Sequence, residues 1–393
     1  MNETCLIGAS AASTTDETIL TNAQLVLPTE TLHGTIVFGS DGISDVQPGL
    51  SRSPAAIDCE GDFVSPGLIE LHTDNLERHM QPRPGVKWPS AHAIIAHDAE
   101  LASVGITTVF DALRIGSILS SQSKYGKYAR TMASEIISLR AAGALRISHM
   151  IHLRAEICSE TLEEELAEFG ADDRIGILSL MDHTPGQRQF ADEAQHRFYL
   201  KGKYGMSDAV IDAHFEKLHA IRDKFGDRHW ACALSKAREL GAVLASHDDT
   251  TVEHAAHSND LGVQLAEFPT SKPAALALND AGVAVMMGAP NLLRGGSHSG
   301  NVAASELEAE DCLDILSSDY APSSLLAAAV RLGVDADDMA KGIATVTSAP
   351  AKAASLPDRG SLAQGLRADI LRFTLHGDVP ISKGVWVKGV RAG

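Results

Sequence analysis

Long apolar segments are missing from this sequence. No run reaches the roughly 18 consecutive apolar residues that a membrane-spanning helix needs. The first residues, Met1-Asn2-Glu3-Thr4-Cys5, lack the basic start and apolar core of a signal peptide. We therefore expect no membrane association and a cytoplasmic location. The five cysteines are scattered without a Cys-x-x-Cys pair, which favours reduced, structural residues.

Basic residues are also scarce relative to acidic residues. The chain has 33 Lys and Arg residues against 51 Asp and Glu residues, so its formal net charge is −18. Such a chain repels nucleic acids and anionic membrane surfaces, and we expect neither as a partner. An anionic substrate would need metal ions or local arginines to override this field.

Residues 64–75 carry the clearest chemical signal. A proline-glycine pair interrupts the chain, and the apolar run that follows at residues 68–71 predicts a short buried strand. His72 and Asp74 come at its carboxyl end, two residues apart, so both side chains project from one face. The pair suits a metal site. In the alternative interpretation His72 caps the strand and Asp74 opens a turn.

Short apolar segments alternate with helical patterns through the centre of the chain. The seven later strands are predicted at residues 107–111, 147–153, 175–181, 243–246, 263–266, 284–287 and 315–318. Eight strands separated by helices predict an α/β fold of the TIM (β/α)8 barrel type. The connection between the fourth and fifth strands is long and is a candidate lid. It consists of a polar and aromatic segment followed by amphipathic helices up to Leu240.

Both ends of the chain are rich in strand-like segments and lack helical periodicity. The predicted terminal strands are residues 23–27, 34–38, 369–373 and 384–388. We therefore predict a small β domain built from residues 1–62 and 354–393 and a barrel domain at residues 63–353.

Polar residues follow the predicted strands where a barrel places its reactive groups. The ends of five strands carry His72 and Asp74; His152, Arg154 and Glu156; Asp182 and His183; His247, Asp248 and Asp249; and Asp319. Buried charges need partners, so this set is hard to explain by folding alone and predicts a metal site. Taken singly, each histidine also fits a structural role.

A glycine-rich loop lies between the seventh and eighth strands. Its adjacent glycines expose backbone amides, and its polar side chains are Asn291, Arg294, Ser297, His298 and Ser299. Loops of this kind at this position of a barrel suit phosphate oxygens. Arg78 and Arg83 are candidates for further phosphate contacts, with a solvated, salt-bridged surface as the alternative.

The pattern at residues 66–74 resembles the first metal-binding strand of the amidohydrolase superfamily, and residues 360–369 resemble its return segment. The resemblance implies a barrel with a small β-sandwich domain from both termini. It also implies two divalent metal ions, with zinc favoured and manganese, iron or magnesium as alternatives for a carboxylate-rich site.

The same resemblance implies a role for each ligand. His72 and Asp74 would hold one metal, Glu156 would bridge, His183 and His247 would hold the other metal, and Asp319 would be both ligand and general base. Two features depart from the usual pattern, since the first motif ends in aspartate and the later histidines fall one strand early. They leave open whether His183 or Glu267, after the sixth strand, is the second-site ligand.

Residues 75–86 and the Arg-Gly-Gly-Ser-His-Ser-Gly-Asn run at residues 294–301 resemble a narrower family, the pyrophosphate-releasing hydrolases of the bacterial carbon–phosphorus lyase pathway. This resemblance implies hydrolysis of ribose 1-methylphosphonate 5-triphosphate to the 5-phosphate and pyrophosphate. A homo-oligomer and association with other phosphonate-pathway proteins are open expectations. A deacetylase or cyclic amidase on the same fold, or a non-catalytic scaffold, are the alternatives. A scaffold would have lost metal ligands, whereas every ligand position here holds a suitable residue.

Overall fold

The computed structural model describes residues 17–118, 127–190, 193–297 and 300–393. The described chain begins with the strands β1 Thr18–Val26, β2 Thr31–Gly39, β3 Gly42–Pro48, β4 Ile57–Asp58 and β5 Phe63–Pro66. The first three pair antiparallel in chain order. β4 and β5 then run parallel to β1, so the chain leaves this domain pointing into the barrel.

Eight parallel strands within the described residues form the barrel. They are β6 Leu68–Thr73, β7 Ile106–Ile115, β8 Ser148–Glu156, β9 Ile175–Met181, β10 Val243–His247, β11 Leu265–Glu267, β12 Ala284–Gly288 and β13 Ile315–Ser317. Each strand pairs with its neighbour in sequence, and a bridge between Thr73 and Asp319 brings the first and last strands together. The predicted TIM barrel is confirmed.

The barrel strands are apolar because both of their faces are buried. Side chains from seven strands form one cluster, which includes Ile69, Phe110, Ile177, Val243, Leu265, Met286 and Ile315. A Cβ atom at Gly176 would stand 2.3 Å from a ring carbon of Phe110, so glycine makes room for that ring. This core leaves the strand ends as the place for polar chemistry.

Helices connect the strands and cover the barrel. They are α1 Asn75–Met80, α2 Ser90–Ser103, α3 Ala129–Ala141, α4 Leu162–Ala167, α5 Glu193–Tyr204, α6 Asp208–Leu240, α7 Val252–Asp260, α8 Lys272–Asp280, α9 Ala289–Arg294, α10 Ala304–Glu308, α11 Ser324–Asp335, α12 Met339–Ala344 and α13 Ser348–Ala353. Side chains cap some of them; Thr251 and Ser271, for example, accept backbone N–H groups at the starts of α7 and α8. Of the helices in the described ranges, none is both long and apolar enough to cross a bilayer.

The long connection after β9 is held to the strand ends. On α6, Arg222 forms an ion pair with Asp182, with 2.9 Å between Nε and Oδ2. The same helix brings His229 Nδ1 to 2.9 Å from the carbonyl oxygen of Ile157, so this nitrogen donates a hydrogen bond. These contacts join α6 to the segments that follow β8 and β9. The predicted lid role of this connection stays a prediction.

The carboxyl-terminal strands β14 Ile370–His376, β15 Val379–Val387 and β16 Val390–Arg391 return to the first domain. β14 pairs antiparallel with β5, so both termini share one sheet and the predicted terminal β domain is confirmed. Phe38 of β2 and Trp386 of β15 have ring centroids 5.6 Å apart. Since four strand spacings would separate them by roughly 19 Å in a flat sheet, the sheet must curl over its own core. β5 lies just beyond the predicted domain boundary, which stays a prediction.

A buried chain of polar groups links α2 to β7 and β8. His149 lies between two carboxylates, 2.8 Å from Asp111 and 3.3 Å from Asp98. Asp111 also contacts His97 at 3.0 Å, and His97 contacts Asn75 at 3.0 Å. Burial works against a charge on His149, but the Asp111 and Asp98 carboxylates outweigh it and raise the pKa of His149 to about 9.

Stability should therefore depend on pH through His149. Because the folded-state pKa lies above the ordinary 6.5, this stabilisation is complete below pH 6.5 and is lost as the pH rises through about 9. The shift corresponds to about 3 kcal/mol. We expect urea unfolding at about pH 6 and about pH 10 to show a loss of that size in the parent chain and a much smaller one in His149→Gln. Equal losses would contradict a protonated His149.

Candidate active site

The carboxyl ends of the barrel strands surround a cleft with a volume of about 220 Å³. Of the residues predicted for the site, the cleft is lined by His72, Asp74, His183, His247, Asn291, Arg294, Ser297 and Asp319. Predicted residues at five different strand ends or loops are therefore brought together by the barrel. His298 and Ser299 lie outside the described residues.

Three strand ends next to the cleft have a strained backbone. Asp248, Phe268 and Asp319 are non-glycine residues with φ values of 57°, 55° and 54°. Left-handed backbone of this kind costs about 1 kcal/mol or more per residue and often marks functional sites. The turns are fixed by main-chain bonds of 2.9 Å, in which Asp248 donates to Glu267 and Phe268 donates to Met286.

One group of potential metal ligands lies on the cleft floor. His72, His247 and Glu267 each offer a donor atom, and these atoms lie within 4.8 Å of one another. The Oε2 atom of Glu267 is 2.9 Å from His247 Nδ1 and 3.2 Å from His72 Nδ1. His152 Nε2 lies 3.3 Å from Glu267 Oε1, but neither Glu267 Oε1 nor His72 Nδ1 makes a well-aligned hydrogen bond among the described residues, and both atoms are buried. Buried polar atoms normally have partners, so these two suit a cation.

A second group of potential ligands consists of His183, His247 and Asp248. His247 belongs to both groups, which therefore lie side by side. Its Nδ1 donates to Glu267, and the Nδ1 of His183 lies 2.5 Å from Glu156 Oε2. A proton held on Nδ1 by a carboxylate leaves Nε2 as the ligand atom, which is the usual arrangement at metal-binding histidines. The two groups could hold divalent cations.

Glu156 and Asp74, both predicted ligands, are engaged with other side chains. Glu156 accepts the bond from His183 and is not part of either donor group of the described residues. Asp74 Oδ1 lies 2.5 Å from Arg154 Nη1. Burial would raise the pKa of Asp74, but the Arg154 guanidinium outweighs burial and lowers it. Asp74 is therefore held in its charged form, and the metal-binding roles of both residues stay predictions.

Asp319 lies where β13 meets β6. Its carbonyl oxygen accepts the backbone N–H of Asp74 at 2.9 Å and the hydroxyl of Thr73 at 2.9 Å. Burial, and after it the Asp74 carboxylate, raises the pKa of Asp319 to about 6. A carboxylate with a pKa close to neutrality accepts protons more readily than an ordinary aspartate.

The comparison with characterised proteins now decides the family. The chain is 42% identical to an alpha-D-ribose 1-methylphosphonate 5-triphosphate diphosphatase of Escherichia coli strain K12 over 358 residues, which covers 90% of this chain and 94% of the relative. This chain belongs to that diphosphatase family. It is therefore a hydrolase. A scan against family models found no match.

Solved structures of other proteins superpose on this chain and share its fold. N-acetyl-D-glucosamine-6-phosphate deacetylase from Mycobacterium smegmatis superposes with a TM-score of 0.61 at 17% identity, over 95% of this chain and 99% of the other. A solved amidohydrolase superposes with a TM-score of 0.57 at 16% identity, over 95% and 98%. At such identities the likeness concerns the fold alone, and it confirms the amidohydrolase-type barrel.

The predicted phosphate loop forms one rim of the diphosphatase cleft. Arg294 ends the short helix α9, is exposed, and is followed by Gly295 in left-handed conformation. Asn291 braces the loop, since its side chain donates to Val302 O at 3.1 Å and accepts from Ala304 N at 3.0 Å. The oxygen and one N–H of the Asn291 amide are thus bonded to the backbone, and both Asn291 and Arg294 border the cleft, so their substrate-binding roles stay predictions.

Arg78 and Arg83 lie away from the described cleft lining of the diphosphatase. Arg78 is bonded to both oxygens of Glu100, at 2.5 and 2.7 Å, and 59% of its side chain is exposed. Arg83 is exposed and makes a backbone bridge to Val86. For Arg78 the geometry matches the salt-bridged surface that the sequence left as the alternative. Their substrate-binding roles stay predictions.

Three residues of the site carry more chemistry than the sequence revealed. Glu267 was an uncertain ligand, Asp248 had no assigned role, and Arg154 was noted for sharing a strand face with its neighbours. Glu267 ends a barrel strand, Asp248 follows one, and Arg154 lies two residues before the end of β8, so nearness to a strand end is the signal that would find them. His183 and Glu267 both lie beside His247, so the geometry does not force a choice between them.

Proposed function

We propose that this chain hydrolyses alpha-D-ribose 1-methylphosphonate 5-triphosphate to the 5-phosphate and pyrophosphate. The observation that carries the proposal is one cleft at which two groups of potential metal ligands, the buried Asp319 carboxyl and two guanidinium groups come together. The 42% identity to a diphosphatase of that name supports the substrate. A phosphoanhydride needs these features together, because charge must be offset at both the reacting and the leaving phosphates.

The proposed need for metal ions rests on the histidine and carboxylate ligand atoms at the floor of the cleft. His72 and Glu267 would hold one ion and His183 and Asp248 a second, with the Nε2 atom of His247 completing one of the two sites and Asp74, Glu156 and Asp319 beside them. Zinc suits the histidines, and manganese, iron or magnesium suit the carboxylates. When bound, such ions lower the pKa of a water molecule and offset phosphate charge.

Asp319 is the proposed general base. Water attacks the α-phosphorus, its proton passes to the Asp319 carboxylate, and the bond from that phosphorus to the bridging oxygen breaks. The electron pair leaves with pyrophosphate. A pKa of about 6 keeps Asp319 ionised at neutral pH while still giving it useful basicity.

Location and partners follow from the same proposal. The partner is a small phosphorylated molecule. A triphosphate carries too much charge to cross a bilayer unaided, so the enzyme must share a compartment with the source of its substrate, which we propose is the cytoplasm. A homo-oligomer and association with other phosphonate-pathway proteins stay predictions.

Purified, metal-replete protein should release pyrophosphate from the triphosphate and leave N-acetyl sugars and cyclic amides intact. In Arg294→Ala, kcat/KM should fall by about 10- to 150-fold, because a charge-assisted contact to a phosphate is lost. Arg294→Lys should recover part of it, since lysine lacks the planar fork. Mass-spectrometric metal content should not change, and Arg228→Ala should behave as the parent does, because the Arg228 side chain is exposed on α6, pairs with Glu163 and does not line the cleft.

Three results would contradict the proposal in different ways. Acetate release or ring opening without pyrophosphate would favour the deacetylase or cyclic amidase. Absence of any turnover in fully metal-loaded protein would favour the scaffold. Unchanged kinetics in Arg294→Ala would make the loop structural.

A further inference from the structure

Arg154 is a cation on the floor of the cleft. It lies on β8 between His152 and Glu156, and its guanidinium is 2.5 Å from the Asp74 carboxylate. That carboxylate oxygen is also 4.0 Å from Nε2 of His72, in the first donor group. The Arg154 side chain is 13% exposed and lines the cleft. The guanidinium thus lies beside the groups that carry the chemistry.

The charges around the cleft are unevenly placed. Its described lining contains the carboxylates of Asp74, Asp248 and Asp319, and two guanidinium groups. Arg294 is exposed at the rim, whereas Arg154 is deeply placed. The Nε atom of Arg154 has no hydrogen-bond partner among the described residues. Ion pairing with Asp74 therefore does not use the full donor capacity of this side chain.

Building on the function proposed above, we propose that Arg154 is a substrate-contacting catalytic residue whose guanidinium binds a nonbridging oxygen of the phosphorus that water attacks. The deep position of Arg154 indicates contact with this phosphorus, because the reacting phosphoryl group must lie beside His72 and Asp319. Arg294, at the rim, can contact only the outer phosphates. Negative charge on that group shifts during transfer, so a fixed cation there stabilises the transition state.

The planar fork of arginine allows both contacts at once. Nη1 donates to Asp74, and a guanidinium has five N–H groups in a rigid arrangement. One edge can therefore hold the carboxylate while another N–H meets a phosphoryl oxygen. Lysine could keep a charge near Asp74 but could not fix both directions.

The competing explanation is that Arg154 acts only through Asp74, as a positioning residue. Its loss would then weaken metal binding, and excess metal would restore activity. A contact to the phosphoryl group predicts the opposite, because Asp74 remains and metal content is kept. The two explanations therefore differ in a measurement that does not depend on turnover.

The experiment compares the parent with Arg154→Lys and Arg154→Met. Arg367→Met is a matched control, because Arg367 is also buried in an ion pair, 2.9 Å from Asp369, and is bonded to Ser148 at the opposite end of β8. Measurements are metal content, kcat and KM for the triphosphate with limiting and excess metal, and calorimetric binding of inorganic phosphate and pyrophosphate. Circular dichroism checks folding.

We expect Arg154→Met to keep its metal and lose at least about 30-fold in kcat, without rescue by excess metal, and to bind phosphate more weakly. Arg154→Lys should lie in between, and Arg367→Met should keep the parent kcat per folded molecule. Rescue by metal, or unchanged kcat and phosphate binding, would overturn the inference. If Arg154→Met fails to fold, Arg154→Lys decides the same question. If the parent protein binds phosphate through Arg154 but does not hydrolyse the triphosphate, the proposed function is wrong and the inference about Arg154 as a phosphate contact stands.

Discussion

Replacing His247 with alanine is expected to remove most of the bound divalent metal and to lower kcat/KM for the triphosphate by about 1,000-fold or more. His247 belongs to both donor groups of the described residues, so one substitution disrupts both. Metal ions contribute several kcal/mol to reactions of this type, and each 1.4 kcal/mol corresponds to about tenfold in rate. Metal analysis and steady-state kinetics on the same preparation measure the two effects.

A buried histidine away from the cleft provides the control. His229 is 1% exposed and its Nδ1 lies 2.9 Å from the Ile157 carbonyl oxygen. His229→Ala should lose stability while it retains metal and kcat per folded molecule. If His247→Ala keeps a full complement of metal and parent activity, the two donor groups are not the metal centre.

Asp319→Asn should lower kcat by at least about 100-fold, the usual scale for loss of a general base. The amide keeps the size of the side chain but cannot accept the proton. Substrate binding should change much less, so the loss should appear in kcat and not in KM. Rapid-quench measurement of a single turnover separates the chemical step from product release.

The pH profile gives an independent check on Asp319. Its pKa is raised to about 6, so parent activity should fall as the pH drops through that value and the carboxylate becomes protonated. In Asp319→Asn this acidic limb should disappear from the residual activity. If the limb persists unchanged in the variant, another group accepts the proton.

Short runs of apolar residues were enough to predict the barrel strands. Residues 175–181 were predicted as the fourth strand, and β9 spans Ile175–Met181. Strands buried on both faces form continuous apolar runs, and the turns and helices between them break those runs at recognisable places. The polar residues that follow such runs are therefore also visible in sequence, which is why His72, His183 and His247 were candidates from the start.

The sequence did not predict which of those polar residues form ion pairs with one another. Arg154 on β8 pairs with Asp74, which follows β6, two strands away in the barrel, and Arg78 on α1 pairs with Glu100 on α2. A periodic pattern reports which face a side chain occupies, but not which charge on another element comes within 4 Å of it.

What the sequence determined by itself is the position of the strands along the chain, the strand-rich character of both termini, and the residues at the strand ends, because these depend on local apolar patterns. The tertiary structure alone decided that Glu267 and Asp248 lie beside His247, that Arg154 is on the cleft floor, and that the Asp319 carboxyl has a raised pKa. Closing the sheet into a ring brings β6 against β13 and sets these distances, and both proximity and burial are properties of the closed ring.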